Sequence, residues 1–173
     1  MKDLLQTFSV PAGPDTPPRR HVVIIGGGAS GVLMAVHLLR QPQAPRVTLI
    51  EGRGVLGQGI AYATTDPEHL LNTRVHNMSA FPADPQHFHR WLIGHSQGEA
   101  GVSDQGFVSR ATYGAYLAEL LADWDHDAQL QRLYHEAVDL TVTDTGVAVT
   151  LTDGTVVAGD EAVLATGHVT PDQ

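Results

Sequence analysis

The chain has 173 residues, of which 42% are hydrophobic and 17% charged, enough for one domain with a buried core. Its 10 basic and 19 acidic side chains give a net charge of −9, which disfavours nucleic-acid binding because such a surface repels a phosphate backbone. It has no cysteine and a single lysine, Lys2, which excludes disulfide scaffolds, thiolate zinc sites, cysteine nucleophiles and the lysine of a P-loop.

Residues 1–20 are predicted to form a disordered, proline-rich leader. Four prolines fall between residues 11 and 18, and the segment has few large apolar side chains to bury. No stretch of the chain is apolar enough for a signal peptide or a membrane-spanning helix. We therefore expect a cytoplasmic protein with no membrane partner, folded from residue 21 onward.

The first folded element is predicted to be a βαβ unit. The β-branched apolar run His21–Ile25 ends at three consecutive glycines and predicts a buried strand. Apolar residues at helical spacing predict a helix over 29–41, which the prolines that follow cannot continue. The run Arg46–Ile50 predicts a second buried strand, and the crossover between the two is expected to be right-handed.

The middle of the chain is predicted to contain two helices after an irregular segment, 52–83. Asp84 and the proline that follows it predict a helix start that runs toward 96–98. A second helix is expected from Ser109 or Thr112 to Trp124. The aromatic residues on these helices lie at the spacing of a buried face, so they are more typical of core than of a substrate contact.

The last part of the chain is predicted to consist of strands. Residues 130–138 predict one strand, and a β-meander follows, with hairpin turns at 144–146 and 153–154. A final apolar strand over 161–165 ends at a threonine and a glycine. The predicted fold class is therefore α/β, a mostly parallel sheet with helices, a helical insertion and an antiparallel β-meander.

The strongest functional signal is a glycine pattern between the first strand and the first helix, Gly26-x-Gly28-x-x-Gly31. The first glycine permits a tight turn, the second leaves room for a pyrophosphate against the backbone, and the third lets the helix pack closely on the strand. The free amides at the helix start, that of Ala29 among them, and the helix dipole attract a diphosphate, and Ser30 adds a hydroxyl donor.

Glu51 ends the second strand, twenty residues after the last glycine of that pattern. A carboxylate there accepts hydrogen bonds from an adenosine ribose and repels the 2′-phosphate of NADP, which leaves FAD and NAD. The alternative is a structural glycine turn with a solvent-facing glutamate. A second glycine array follows within 52–59 and favours a large flat group such as a flavin ring, with a flexible loop as the alternative.

Several motifs resemble one family. They are Gly57-Gln-Gly-Ile-Ala-Tyr, His69-Leu-Leu-Asn72, Met78-Ser-Ala-Phe81, Phe107-Val-Ser-Arg110 and Val163-Leu-Ala-Thr-Gly167. They are similar to bacterial FAD/NAD(P)-binding proteins, a group that includes FAD-dependent urate hydroxylase and is related to flavin N-hydroxylating monooxygenases. The resemblance covers 21–168 and implies a Rossmann-like FAD/NAD(P)-binding domain over 21–173, incomplete relative to full-length relatives, which continue into an NAD(P)H-binding lobe.

The resemblance also implies which residues hold FAD. It places the pyrophosphate on Gly26, Gly28, Ser30 and Gly31, the adenosine ribose on Glu51, the ribityl chain or ring near Gln58, Gly59 and Asn72, the adenine on the backbone of Val138 at the end of the third parallel strand, and the closing contacts on Thr166 and Gly167. NAD(P)H is the reductant that such a flavoprotein uses, and a second chain is a partner that could complete the site.

The other polar residues favour no different chemistry. His87 and His89 are two apart on a predicted helix, so they point to different faces, and we expect no metal site. Ser30 resembles the serine of a nucleophile elbow, but Val32 replaces the final glycine of that motif. Arg110 is the best candidate for a substrate or phosphate contact, with a solvated surface charge as the alternative.

Three functions therefore remain open. The first is the FAD-binding portion of a flavin-dependent oxidoreductase, with an NAD(P)H-dependent monooxygenase acting on a small molecule as its finer form. No acid–base pair stands out, as expected where a flavin supplies the reactive atom. The second is a non-catalytic FAD or NAD binding module, and the third is an inactive fragment that binds neither.

Overall fold

The structure, a computed structural model, describes residues 19–95 and 103–167. The predicted leader, apart from its last two residues, and the predicted end of the first middle helix lie outside the described residues. The elements are β1 (His21–Ile25), α1 (Ala29–Leu39), β2 (Arg46–Ile50), α2 (Gly59–Tyr62), α3 (His87–His95), α4 (Arg110–Glu119), β3 (Leu130–Leu133), β4 (Ala137–Thr143), β5 (Gly146–Leu151), β6 (Val156–Gly159) and β7 (Glu161–Leu164), with 3-10 turns at Val75–Asn77 and Ala122–Trp124.

The central layer is a four-stranded parallel sheet in the order β3-β2-β1-β7. All five residues of β1 and four of the five of β2 are buried. Their side chains are covered on both faces, and continuous apolar runs are the pattern that such strands need. Because the chain leaves β1 for β2 on one side and reaches β7 on the other, a crevice opens at the carboxyl end of β1.

The two faces of this sheet pack against different layers. Val22 and Ile24 point toward α1 and the other helices, where the larger core lies. Val23 and Ile25 point the other way and pack against the three-stranded antiparallel sheet β4-β5-β6, in a second core that includes Val149. The alternation of side chains along one strand thus builds a three-layer domain. No helix in the described part of the chain has the length and apolar character needed to cross a membrane.

The predicted architecture is confirmed, and β1 and β2 have the predicted bounds. Ser109 is the N-cap of α4, and its hydroxyl oxygen accepts from the amide of Thr112 at 3.1 Å. The predicted helix to Trp124 is too long, because α4 ends at Glu119 and the chain tightens into a 3-10 turn. The first middle helix begins at His87, after a turn that starts at Asp84.

The predicted single strand over 130–138 is wrong. Its first part, β3, pairs in parallel with β2, whereas its second part, β4, pairs antiparallel with β5, and the three residues between them belong to neither. The chain passes from the parallel sheet to the antiparallel sheet at these residues. The apolar pattern of the sequence does not show that the partner strand changes from β2 to β5. Val138 consequently lies on the antiparallel sheet, 59% exposed, and not at the end of the third parallel strand.

Candidate functional site

The loop from β1 to α1 has two glycines that the fold itself requires. Gly26 has a φ of +106°, and a Cβ there would lie 2.3 Å from the carbonyl oxygen of Ala165, beyond the end of β7. A Cβ on Gly31 would lie 1.8 Å from the carbonyl oxygen of Gly26. These contacts let α1 start directly against β1, so both glycines are explained without any ligand.

Gly28 differs from these two. Its φ of −68° is open to any residue, and a Cβ there would meet only the backbone of Gly59, at an ordinary 3.4 Å. Gly59, which has a φ of +53°, faces it from the start of α2. The protein's own packing therefore leaves a space above Gly28 that a side chain would fill. We call this space, bounded by Gly28, Gly59 and the first turn of α1, the cradle.

The first turn of α1 points unpaired amides at the cradle. Gly28 is the N-cap without a side-chain cap, and its carbonyl accepts the first helical bond, from Val32 at 3.0 Å. Within the described residues, the amides of Ala29, Ser30 and Gly31 have no hydrogen-bond partner, and the first turn has no acidic side chain. Free N–H groups at the positive end of a helix dipole are suited to a diphosphate.

Glu51 is buried, with 9% of its surface exposed, so the alternative of a solvent-facing glutamate is wrong. Its Oε2 accepts from the amide of Gly27 at 2.8 Å and its Oε1 from the amide of Arg53 at 2.7 Å. Each oxygen keeps capacity for a second donor, such as a ribose hydroxyl. The carboxylate also fastens the glycine loop to the end of β2, a contact that the sequence pattern does not reveal.

The second glycine array packs against the helical layer. The amide of Gly57 donates to the carbonyl of Gly27 at 2.8 Å, and a Cβ on Gly57 would lie 2.7 Å from the amide nitrogen of Ala118 in α4. A close approach to α4 therefore explains this glycine. Gln58, half-buried, follows it and leads into the cradle at Gly59. Gly27 stands at an unspecified position of the first glycine pattern, and only the packing shows that a Cβ there would lie 2.5 Å from Cδ2 of Leu56.

Of the remaining predicted residues, Thr166 and Gly167 lie at the same edge of the sheet as the cradle, and Asn72 lies in another segment. Thr166 and Gly167 follow β7 at the same sheet edge, since the amide of Ala165 donates to the carbonyl of Ile25 at 2.8 Å. Asn72 is exposed in a segment beside α4 and makes no hydrogen bond within the described residues. The structure thus brings together the glycine loop, Glu51, Gly59 and the end of β7, and leaves Asn72 and Val138 without a described contact to them.

Arg110 has a structural partner. Its Nε donates to the carbonyl of Leu70 at 3.3 Å and its amide donates to the carbonyl of His69 at 2.9 Å. The residue is partly buried and its hydrogen bond to Leu70 lies at the surface, so the guanidinium remains in contact with solvent. Arg110 ties the start of α4 to the segment that carries Asn72, and nothing in this geometry aims its guanidinium at the cradle.

Comparison with known proteins places the chain among dinucleotide-binding proteins. A model of the FAD-NAD(P)-binding family matches residues 23–169. YdhS of Escherichia coli (strain K12), an uncharacterized protein, is 23% identical over 172 residues, which cover 89% of this chain and 32% of YdhS.

Solved structures of flavin enzymes share the fold. Cyclohexanone monooxygenase from Rhodococcus sp. Phi1 bound to NADP+ matches with a TM-score of 0.62 at 22% identity, over 91% of this chain and 28% of that one. OTEMO in complex with FAD and NADP matches with a TM-score of 0.59 at 19% identity, also over 91% and 28%. The chain therefore spans about a third or less of the length of these relatives.

Proposed function

We propose, from the premise that the chain belongs to the FAD-NAD(P)-binding family, that it is the FAD-binding portion of a flavin-dependent oxidoreductase. The family match confirms the resemblance predicted from the sequence, the Rossmann-like fold and the cofactor class. In the finer form of the proposal, the complete protein is an NAD(P)H-dependent monooxygenase that acts on a small molecule.

The observation that carries FAD binding is the cradle above Gly28. The fold explains Gly26 and Gly31 but not Gly28, where φ and the surrounding atoms leave room for a Cβ. The three unpaired amides of the first turn of α1 face the same space. In the proposed complex they donate to the diphosphate and supply the positive potential that a chain of net charge −9 otherwise lacks.

Glu51 favours FAD or NAD over NADP as the nucleotide that binds at the cradle. Its oxygens accept from two backbone amides and retain room for the ribose hydroxyls, whereas a 2′-phosphate would bring like charge against a buried carboxylate. A bound flavin supplies the hydride and electron transfer and the oxygen chemistry. The residues of this chain bind and orient the dinucleotide, and the second nucleotide and the small-molecule substrate need contacts beyond the cradle.

Monooxygenase activity is the finer proposal because the solved structures of similar fold include cyclohexanone monooxygenase. The low identity and partial coverage relate this chain to their FAD-binding fold. The binding sites of the reductant and of the substrate are proposed to lie outside the cradle, where a second chain could contribute.

Cofactor binding is tested by titrating the purified chain with FAD, NAD and NADP, in the unaltered form and as Gly28→Ala. We expect FAD to bind and the variant to lose about tenfold or more of its affinity, since a Cβ displaces a charged group from its amide donors. Gly94→Ala is the matched control, because a Cβ there meets open space. Equal FAD affinity in all three proteins, or none in the unaltered chain, would contradict the proposal.

Turnover is tested on the longest natural form of the protein, loaded with FAD. The monooxygenase proposal expects oxidation of NADH or NADPH and transfer of one atom of isotopically labelled dioxygen to an organic product. FAD binding without oxidation of either reductant would instead identify a non-catalytic binding module and overturn the finer proposal alone.

A further inference from the structure

A second cavity lies at the opposite end of α1 from the cradle. It has a volume of about 140 Å³ and is lined by side chains from the end of α1, from α3, from α4 and from the 3-10 turn that follows α4. We call it the distal pocket and define it by Arg40, His87, Trp91, Tyr116, Asp123 and Trp124. The 11 residues of α1 separate it from the cradle by about 16 Å of helix.

The floor of the distal pocket presents one directed hydrogen-bond donor. The hydroxyl of Tyr116, which is fully buried, accepts from the amide of Ala80 at 3.1 Å and lies 2.8 Å from Nδ1 of His87. The amide of Ala80 takes one acceptor site of the hydroxyl, and in the arrangement that the proposal uses the hydroxyl proton goes to Nδ1 of His87, which leaves the ring proton on Nε2. Burial lowers the pKa of His87, so the ring is neutral near pH 7. Within the described residues, this Nε2–H has no partner.

The pocket also has two charges of opposite sign on different elements. The guanidinium of Arg40 lies over the ring of Phe81, 4.4 Å from its centre, and the Asp123 carboxylate makes no ion pair within the described residues. The other acid of the pocket, Glu119, is engaged, since its Oε2 accepts from Nε1 of Trp91 at 2.8 Å. The same Oε2 also lies 3.0 Å from Nε2 of His95. Arg40 and Asp123 are thus the charged side chains of the pocket that make no hydrogen bond or ion pair within the described residues.

We propose that the distal pocket binds a small zwitterion with a flat apolar group, the chemistry of a free aromatic amino acid. Arg40 and the Nε2–H of His87 receive its carboxylate, Asp123 receives its ammonium group, and the tryptophan rings contact its flat group. An anion or a cation alone would leave one of the two free charges facing a like charge or nothing. A cavity of about 150 Å³ suffices for a benzene ring, and the distal pocket is nearly that large.

The two tryptophans of the chain, Trp91 and Trp124, both line this pocket, so intrinsic tryptophan fluorescence reports its occupancy. The probe is L-phenylalanine, compared with phenethylamine, which lacks the carboxylate, and hydrocinnamate, which lacks the ammonium group. We expect L-phenylalanine to change the fluorescence at a concentration about tenfold lower than either analogue. Equal affinity for a single-charge analogue, or no change with any probe at millimolar concentration, would overturn the proposal.

Two variants assign the two charges. Arg40→Gln should weaken L-phenylalanine about tenfold and leave phenethylamine unchanged, whereas Asp123→Asn should weaken L-phenylalanine and leave hydrocinnamate unchanged. Both side chains are exposed, so the folded state is retained. Arg53→Gln and Asp144→Asn are matched controls on exposed residues outside the pocket. Equal losses in a control and its partner variant would show non-specific binding and overturn the assignment.

Discussion

The two ends of α1 carry the two proposed ligand sites, which are built in different ways. At its amino end, the cradle is made of backbone: free amides, glycines without Cβ atoms, and a carboxylate that holds the loop through its amides. At its carboxyl end, the distal pocket is made of side chains brought together from several elements. A site made of backbone therefore requires particular residues at fixed spacing in the sequence, whereas a site made of side chains requires only that residues distant in sequence come together.

The sharpest way to test this comparison is to separate glycines that serve the fold from the one that serves a ligand. Gly31→Ala places a Cβ 1.8 Å from the carbonyl oxygen of Gly26, so the loop or α1 must move. We expect a loss of about 3 kcal/mol in the free energy of unfolding, measured by denaturant titration without ligand.

Gly28→Ala is the matched control for Gly31→Ala, because its Cβ makes an ordinary contact, and it should unfold within about 1 kcal/mol of the unaltered chain. If the two variants were equally destabilised, Gly28 would be a structural glycine like Gly31, and the distinction that supports the cradle would fail.

The next largest effect is expected at Glu51, whose carboxylate holds the glycine loop through the amide of Gly27. Glu51→Gln replaces one of two accepting oxygens by a donor, so the amide of Gly27 or of Arg53 is left facing an N–H group in a buried place. We expect a loss of about 1 to 3 kcal/mol in the free energy of unfolding of the ligand-free chain. Glu68→Gln, on an exposed residue, should change nothing measurable. An unchanged stability with weakened FAD binding would mean that Glu51 acts on the ligand alone.

The smallest effect is a pH dependence at the distal pocket. Burial lowers the pKa of His87 below its ordinary value of 6.5, so the unfolded chain takes up this proton more readily than the folded one. The contribution of His87 to the free energy of unfolding is therefore fully present above pH 6.5 and decreases as the pH falls below that value. His87→Gln should make this fall shallower, and His126→Gln, on an exposed residue, should not.

In His87→Gln, part of the decrease in the free energy of unfolding at low pH should remain, because burial also lowers the pKa of His21 at the start of β1. The measurement is the free energy of unfolding between pH 7 and pH 5. A slope that is the same in His87→Gln and the unaltered chain would place the acid sensitivity elsewhere and remove the support for a neutral His87.

Local patterns predicted the elements whose surroundings are the same along their whole length. The bounds of β1 and β2 follow from continuous apolar runs that end at glycine or at an acid, and the N-cap at Ser109 follows from its hydroxyl. The strand over 130–138 was wrong because its two parts have different partner strands, and an apolar run looks the same whichever sheet it enters. Helix α4 was predicted too long because a 3-10 turn keeps nearly the same spacing of apolar residues.

The amino-acid sequence alone predicts the backbone chemistry at the carboxyl end of β1. The spacing of Gly26, Gly28 and Gly31 between a strand and a helix is a local pattern, so it is recognised without knowledge of the fold. The packing of the folded chain shows which of these glycines the fold already explains and that Glu51 is buried under the loop. It also brings Arg40 and Asp123, which are distant in sequence, into one pocket. Such choices depend on which elements pack together, because burial and side-chain partners arise from contacts that no local pattern contains.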